Sequence, residues 1–259
     1  MTVAQTAIYA GQVAIVTGAG KGSGGLGRAI AERLAAGGAR VMVSDVDPKV
    51  AESASEIAAV TGAATLSFTG SLADEENVKR MVAQTAEAWG RVDILVNNAG
   101  GGIIKPFLEH DAASFRETLD RNLWTALWCC HKVLPHMIAQ NYGRIVNIGA
   151  DSLRTGIPNH AGYNAAKGGV IGMSVALARD FAHHDITVNT VSPCLIHTSR
   201  FEALKKTDPA LADKFESVIP KGRGVAIAEV VDAVCFLAKR ETGFITGQDI
   251  SINGGSAMP

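Results

Sequence analysis

The sequence predicts one α/β domain in which helices cover both faces of a parallel β-sheet. Short apolar, β-branched runs alternate with longer helical patterns, which is typical of βαβ units. A chain of 259 residues is also long enough to bury one large core. The predicted strands cover residues 13–17, 40–44, 65–68, 92–97, 144–148, 186–191 and 249–252. Helical patterns cover 28–36, 75–89, 112–137 and 163–181, and the irregular stretch 194–222 is predicted to be a substrate lid.

Composition excludes several classes of function. The net charge is −1 and 19% of residues are charged, so no nucleic-acid partner is predicted. Four cysteines show no paired spacing, and no His/Cys/Asp/Glu pattern indicates a metal site. The chain has no apolar run of the ~20 residues that span a bilayer and no basic region followed by an apolar run. We therefore expect a cytoplasmic protein with no membrane partner.

A glycine cluster follows the first predicted strand. A glycine turn between a first strand and a first helix lets the backbone approach a pyrophosphate at the helix N-terminus. The pattern G-x-G-x-x-G fits twice, beginning at Gly20 and at Gly22, so the letters do not fix which glycine does what. A P-loop is excluded because Gly22 follows Lys21 where Ser or Thr is required.

Asp45 ends the second predicted strand, where a carboxylate can bond the adenosine ribose hydroxyls and repel a 2′-phosphate. Lys21 in the glycine turn favours NADP weakly. Since no arginine follows Asp45, NAD is the predicted cofactor.

Tyr163 and Lys167 lie four residues apart, so on a helix they share one face. A cation near the phenol favours the phenolate and lowers the tyrosine pKa. The pair is therefore a candidate general acid/base for an alcohol or carbonyl.

Together these features resemble the short-chain dehydrogenase/reductase family along nearly the whole chain. The matching motifs, in family order, are Thr17-Gly18 with the glycine turn, Asn97-Asn98-Ala99-Gly100, Asn122, Tyr163 with Lys167, Ser192-Pro193 and Asn253-Gly254-Gly255. The resemblance implies a doubly wound seven-stranded Rossmann fold, NAD(P) binding and hydride transfer at a carbonyl/alcohol carbon. It also implies a homotetramer formed through the helices that carry Asn122 and Tyr163.

The resemblance assigns roles by position. Tyr163 would be the acid/base, Lys167 would lower its pKa and hold the nicotinamide ribose, and Asn122 would anchor a water in the proton relay. The other cofactor-binding residues implied are Gly18, Gly22, Gly24, Gly25, Leu26, Gly27, Asp45, Ser71, Leu72, Asn98, Ala99, Gly100, Pro193, Ile196 and Thr198. The glycine turn is three residues longer than is usual in the family, so counting from Thr17 and counting back from the helix select different glycines.

A more serious departure lies thirteen residues before Tyr163, where the family's substrate-orienting serine is replaced by Ala150. Three interpretations stand. Ser152 supplies the hydroxyl, since in a regular strand it would face the same side as Ala150. Alternatively, the chain carries an inactivating substitution, or it is a natural dinucleotide-binding protein that has lost much of its chemistry. We favour Ser152 because the other catalytic positions are intact.

The predicted function is NAD-dependent hydride transfer on a secondary alcohol or ketone, of the cyclic-alcohol or 3-hydroxyacyl thioester type. A 3-oxoacyl-(acyl-carrier-protein) reductase is the alternative, although that activity usually goes with NADP. A serine hydrolase is excluded because Ser174 lies within a helical pattern, not in a strand-to-helix turn.

Overall fold

The fold is a seven-stranded parallel sheet with helices on both faces. The computed structural model describes residues 7–22 and 25–258, with the backbone alone at Arg200. The sheet strands are β1 (Val13–Thr17), β2 (Arg40–Asp45), β3 (Thr65–Thr69), β4 (Ile94–Asn97), β5 (Tyr142–Ile148), β6 (Asp185–Pro193) and β9 (Asp249–Ile252). Their order is β3-β2-β1-β4-β5-β6-β9, and every neighbouring pair is parallel. The fold class predicted from the sequence is confirmed.

Ten α-helices and two short strands complete the described chain. The helices are α1 (Leu26–Ala36), α2 (Val50–Thr61), α3 (Glu75–Trp89), α4 (Ala112–Leu119), α5 (Thr125–Ala139), α6 (Ser152–Thr155), α7 (Ala161–Asp180), α8 (Ser199–Thr207), α9 (Pro209–Ser217) and α10 (Ile227–Leu237). Strands β7 (Ile196–His197) and β8 (Val225–Ala226) pair with each other outside the main sheet. None of the described helices is long and apolar enough to cross a membrane.

Continuous apolar runs form the central strands because helices cover both faces of the sheet. Successive side chains of a strand point to opposite faces. Ala14 and Val16 therefore pack in one core, together with residues of α1 and α10. Ile15, between them, packs in the other core with residues of α3 and α5.

The structure differs from the sequence prediction in the pattern over 112–137 and in the stretch 194–222, and it adds the helices α2 and α10. The pattern over 112–137 is not one helix, because a π-helical turn, Asp120–Trp124, separates α4 from α5. The irregular stretch 194–222 contains two short helices, α8 and α9. Thr198 and Asp208 begin these helices by accepting side-chain hydrogen bonds from Phe201 N and Leu211 N. Side-chain caps of this kind stabilise helices that have little apolar periodicity.

The strand order determines where a ligand-binding crevice forms. Connections leave β1 and β4 in opposite directions, so a crevice forms at the carboxyl ends of these two neighbouring strands. The glycine turn follows β1 and the segment Asn98–Gly100 follows β4, so both lie at this crevice.

Candidate active site

The turn after β1 packs so tightly that it requires glycine. Gly18 has φ +66°, and a Cβ there would lie 2.8 Å from Ala99 Cα. A Cβ on Gly27, in the first turn of α1, would lie 2.2 Å from Gly18 O. The Asn98 amide donates to Thr17 O and Gly18 O, both at 2.9 Å, and thereby ties this turn to the end of β4. Glycine is therefore required at both positions for this close packing of the turn, the helix and the loop after β4.

The start of α1 fixes which glycines flank the helix N-terminus. The helix begins at Leu26, with Gly25 as its N-cap at φ +86°. The buried Leu26 packs in the core, so Gly25 and Gly27 are the glycines that shape the helix N-terminus. Gly22 is not crowded, since a Cβ there would lie 3.7 Å from Asp47 Oδ2. Gly24 lies outside the described residues.

Asp45 lies against the glycine turn at the end of β2. Its Oδ2 accepts a hydrogen bond from Gly20 N at 2.8 Å, and a Cβ on Gly20 would come within 2.7 Å of the Asp45 Cγ. Lys21 turns away toward α2, where its ammonium lies 2.8 Å from both Glu52 and Glu56. The cation that favoured NADP in the sequence is therefore engaged by two carboxylates.

Asn122 lies in the π-helical turn and is buried. In this turn the backbone N–H of Thr125 donates to Asp120 O, five residues back instead of four. The Asn122 amide donates to Thr118 O at 2.8 Å and to Gly101 O at 2.9 Å, while its Oδ1 accepts from Gly101 N at 3.2 Å. Asn122 thus fixes the loop after β4 to the helices.

Lys167 and Tyr163 lie on α7, one turn apart. Lys167 is only 4% exposed, and its ammonium donates to Ile148 O at 2.7 Å. Burial lowers the pKa of Lys167 to about 8. The ammonium lies 5.8 Å from the centre of the Tyr163 ring. Burial raises the pKa of Tyr163 to about 12, so the lowering expected from the sequence is not met in the protein alone.

Gly100 and Gly102 carry the loop after β4 past these two side chains. A Cβ on Gly100 would lie 2.6 Å from Asn122 Oδ1 and 3.3 Å from Lys167 Nζ. A Cβ on Gly102 would lie 2.7 Å from Tyr163 Cδ2. Among the described residues the Tyr163 hydroxyl has no hydrogen-bond partner, which leaves it open to a bound oxygen.

Ser152 does not occupy a strand. Strand β5 ends at Ile148, and Ser152 is the first residue of α6, so the alternation argument that placed it beside Ala150 is wrong. Its hydroxyl donates to Asn164 Oδ1 at 2.6 Å, and Asn164 Nδ2 donates back to Ser152 O at 3.1 Å. Ala150 itself is buried and apolar. The one proton of the Ser152 hydroxyl is therefore engaged by Asn164.

Asp151, between these two positions, is a residue that the sequence reasoning missed. The carboxylate is buried and accepts hydrogen bonds from Ser251 Oγ at 2.9 Å, Asn253 Nδ2 at 2.9 Å and Ser256 Oγ at 3.2 Å. Arg154 lies 3.3 Å from it. An acid three residues after the end of a buried strand was the available signal. Asp151 joins the Ala150–Ser152 segment to the end of β9.

The remaining predicted positions lie along the same edge of the sheet. Ser71 and Leu72 follow β3, with Ser71 exposed and Leu72 buried. Pro193 ends β6, Ile196 lies in β7, and Thr198 caps α8.

The segment with α8 and α9 leaves this edge and returns through β8. His197 Nε2 lies 2.6 Å from Glu216 Oε1, and Lys205 lies 3.0 Å from the same oxygen. This contact joins β7 to α9. In residues 7–22 and 25–258, no group of three His, Cys, Asp or Glu side chains is placed to hold a metal.

Comparison with known proteins agrees with this geometry. A family model described as enoyl-(acyl carrier protein) reductase matches residues 18–257. A 2,3-dihydroxy-2,3-dihydro-p-cumate dehydrogenase of Pseudomonas putida is 49% identical over 96% of this chain and 95% of its own. A 3-oxoacyl-(acyl-carrier-protein) reductase of Haemophilus influenzae is 36% identical over 95% of this chain and 98% of its own. The structure of an NAD⁺-bound xylitol dehydrogenase superposes with a TM-score of 0.87 at 31% identity, covering 95% of this chain and 99% of that one.

Proposed function

The chain belongs to the short-chain dehydrogenase/reductase family, and from that premise we propose that it oxidises a ring diol with NAD. The substrate would carry hydroxyls on neighbouring carbons of a partly reduced ring, one of which becomes the ketone. The partly buried Tyr163 and the buried Lys167, at the crevice between β1 and β4, carry the chemistry of this proposal. The ring diol is supported by the 49% identity with the p-cumate dihydrodiol dehydrogenase, against 36% with the carrier-protein reductase.

The described residues fit a dinucleotide that carries no 2′-phosphate. The pyrophosphate is proposed to lie at the N-terminus of α1, where Gly18 and Gly27 let the turn, the helix and the loop after β4 pack closely together. Asp45 places a carboxylate where the adenosine ribose would lie, and Lys21 is engaged on α2. NAD, when bound, accepts the hydride released from the carbinol carbon.

In this proposal Tyr163 removes the hydroxyl proton while the C–H bond breaks and the C=O bond forms. The Tyr163 hydroxyl receives that proton as its phenolate. Because burial raises the pKa of Tyr163 to about 12, this proposal requires the nearby charge of Lys167 to offset that cost when substrate and NAD are bound. Lys167, fixed by Ile148 O, supplies this charge and also lies beside Gly100, at the loop that would hold the nicotinamide ribose. Asn122 holds Gly101 in place, which supports its assignment to the proton relay.

The remaining cofactor contacts are proposed by position. Ser71 and Leu72 would adjoin the adenine, and Gly22, Gly24, Gly25, Leu26, Asn98 and Ala99 would adjoin the phosphates and the ribose. Pro193, Ile196 and Thr198 would adjoin the carboxamide. Ser152 is the proposed donor to the substrate oxygen, for which its hydroxyl must turn from Asn164. The segment 194–222 is the proposed lid.

We also propose a homotetramer in the cytoplasm. Trp124, beside α5, is 44% exposed and Val175 on α7 is 52% exposed, so both candidate interface helices present large apolar side chains. Buried free thiols at Cys129 and Cys130 suit a reducing compartment. Sedimentation equilibrium of the purified protein tests the assembly, and a monomer at micromolar concentration would contradict it.

A substrate panel tests the activity. Initial rates of NADH formation are measured with ring diols, ring mono-alcohols and 3-hydroxyacyl thioesters, each with NAD and with NADP. We expect the highest kcat/KM with a cis ring diol and NAD. Tight NAD binding by calorimetry with no turnover of any alcohol would instead identify a dinucleotide-binding protein.

A further inference from the structure

A histidine lies beside Tyr163 that the proposed proton transfer does not use. His160 is the N-cap residue of α7, three residues before Tyr163. The two ring centroids are 6.1 Å apart with an interplanar angle of 74°. His160 is partly buried, and its ring contact with Tyr163 places it beside the proposed acid/base.

The hydrogen bond of this histidine fixes its tautomer. Its Nδ1 lies 2.7 Å from Pro158 O. A carbonyl oxygen can only accept, so Nδ1 must carry a proton. In the neutral imidazole the other nitrogen, Nε2, is then a hydrogen-bond acceptor.

The acceptor atom is available. Among the described residues His160 Nε2 has no hydrogen-bond partner, whereas Ser152 and Asn164 on the neighbouring segment already bond each other. The contact with Pro158 O tethers the ring, and Asn159, immediately before it, adopts a left-handed conformation with φ +66°. Asparagine tolerates this conformation better than most residues.

We propose that His160 is a specificity residue for the second hydroxyl of the ring diol. Its Nε2 accepts a hydrogen bond from that hydroxyl while Tyr163 takes the proton of the first. This inference rests on the proposed function and adds to it the group that distinguishes a vicinal diol from a mono-alcohol. A mono-alcohol does not make this hydrogen bond, so it loses the bond's contribution to binding.

Two substitutions test the proposal. H160L removes the acceptor at similar size, whereas H160Q keeps an acceptor oxygen. The measured quantity is the ratio of kcat/KM for cis-1,2-cyclohexanediol to that for cyclohexanol, with NAD. H160L is expected to lower this ratio about tenfold, because one hydrogen bond to the diol is lost. H160Q is expected to lower it less than threefold. H183L is the matched control, because His183 is exposed and follows α7 at the opposite edge of the sheet.

Other results would overturn the proposal in distinguishable ways. An unchanged diol-to-mono-alcohol ratio in H160L rules out recognition of the second hydroxyl. A second comparison uses the cis-dihydrodiol of p-cumate and the same diol without its carboxylate. If H160L lowers the ratio of kcat/KM for the first to that for the second, His160 binds the carboxylate and not the second hydroxyl. If H160L lowers kcat/KM equally for the diol and the mono-alcohol and also weakens NAD binding, His160 has a structural role. Failure of the wild type to oxidise any ring alcohol would refute the proposed function itself, before the question of His160 arises.

Discussion

Replacing Ser152 with alanine tests whether this side chain supplies the hydrogen bond that Ala150 cannot. In the structure the Ser152 hydroxyl donates to Asn164 Oδ1 at 2.6 Å. To stabilise a developing negative charge on the substrate oxygen, the hydroxyl must leave Asn164 and turn toward that oxygen. The catalytic gain is therefore the value of the new hydrogen bond minus the cost of breaking the old one.

The magnitude follows from these two terms. One donor to a developing oxyanion contributes roughly 3 kcal/mol. A hydrogen bond such as the one to Asn164 contributes about 1 kcal/mol net. The difference of about 2 kcal/mol corresponds to a decrease in kcat of about 30-fold for S152A. This loss is smaller than for a serine that is free to donate.

The assay compares steady-state kcat for the preferred diol with NAD, alongside NAD affinity by fluorescence titration. S152A is expected to lose kcat and to keep NAD affinity. S55A is the matched control, because Ser55 is exposed on α2 and its hydroxyl donates to Ala51 O of the same helix. It should change kcat less than twofold.

The result that refutes the reasoning is a loss below threefold in S152A together with a gain above tenfold in A150S. In that case no residue of the wild type supplies the hydrogen-bond donor to the substrate oxygen, and the wild-type protein is an impaired enzyme. A large loss in S152A and no gain in A150S would establish that the donor has moved two residues along the chain.

Three further predictions concern the cofactor cradle and the buried cation. D45A is expected to lower the NAD-to-NADP ratio of kcat/KM at least tenfold, because the 2′-phosphate is no longer repelled; an unchanged ratio would place the ribose elsewhere. Burial depresses the pKa of Lys167 in the folded state to about 8. The charged Lys167 therefore lowers the stability of the fold below pH 8, and this cost is relieved as the pH rises from 8 toward the pKa of an unfolded lysine. Denaturant melts should therefore show the stability advantage of K167M over wild type shrinking by about 2 kcal/mol between pH 7 and 9.5, and a constant advantage would contradict the shifted pKa. G27A should lower stability by about 2 kcal/mol, because its Cβ would meet Gly18 O at 2.2 Å, whereas G172A, with nothing within 4 Å, should not be destabilising.

Much of the fold follows from local pattern. Strand β1 was predicted with its observed bounds because Val13–Thr17 is buried on both sides and bounded by turn residues. The helix Glu75–Trp89 was also predicted with its observed bounds, since Asp74 caps it and Gly90 ends it. Such signals lie within a few residues and need no knowledge of the partner elements.

Other features depend on contacts between distant residues and could not be read from the chain. The π-helical turn arises where Asn122 bonds the loop after β4, more than twenty residues away in sequence. The partner of Ser152 is Asn164, twelve residues on, which no motif singles out. The engagement of Lys21 by α2 likewise brings together side chains about thirty residues apart.

The sequence by itself determined the α/β fold, the crevice at the carboxyl ends of the strands, and the residue types placed there. Hydrophobic periodicity, glycine turns and the four-residue spacing of Tyr163 and Lys167 are local properties, so they can be recognised from the sequence. The tertiary structure alone decided which groups are already engaged and how their charges are shifted. Burial sets the pKa of Tyr163 and Lys167, and burial comes from every element packed around them.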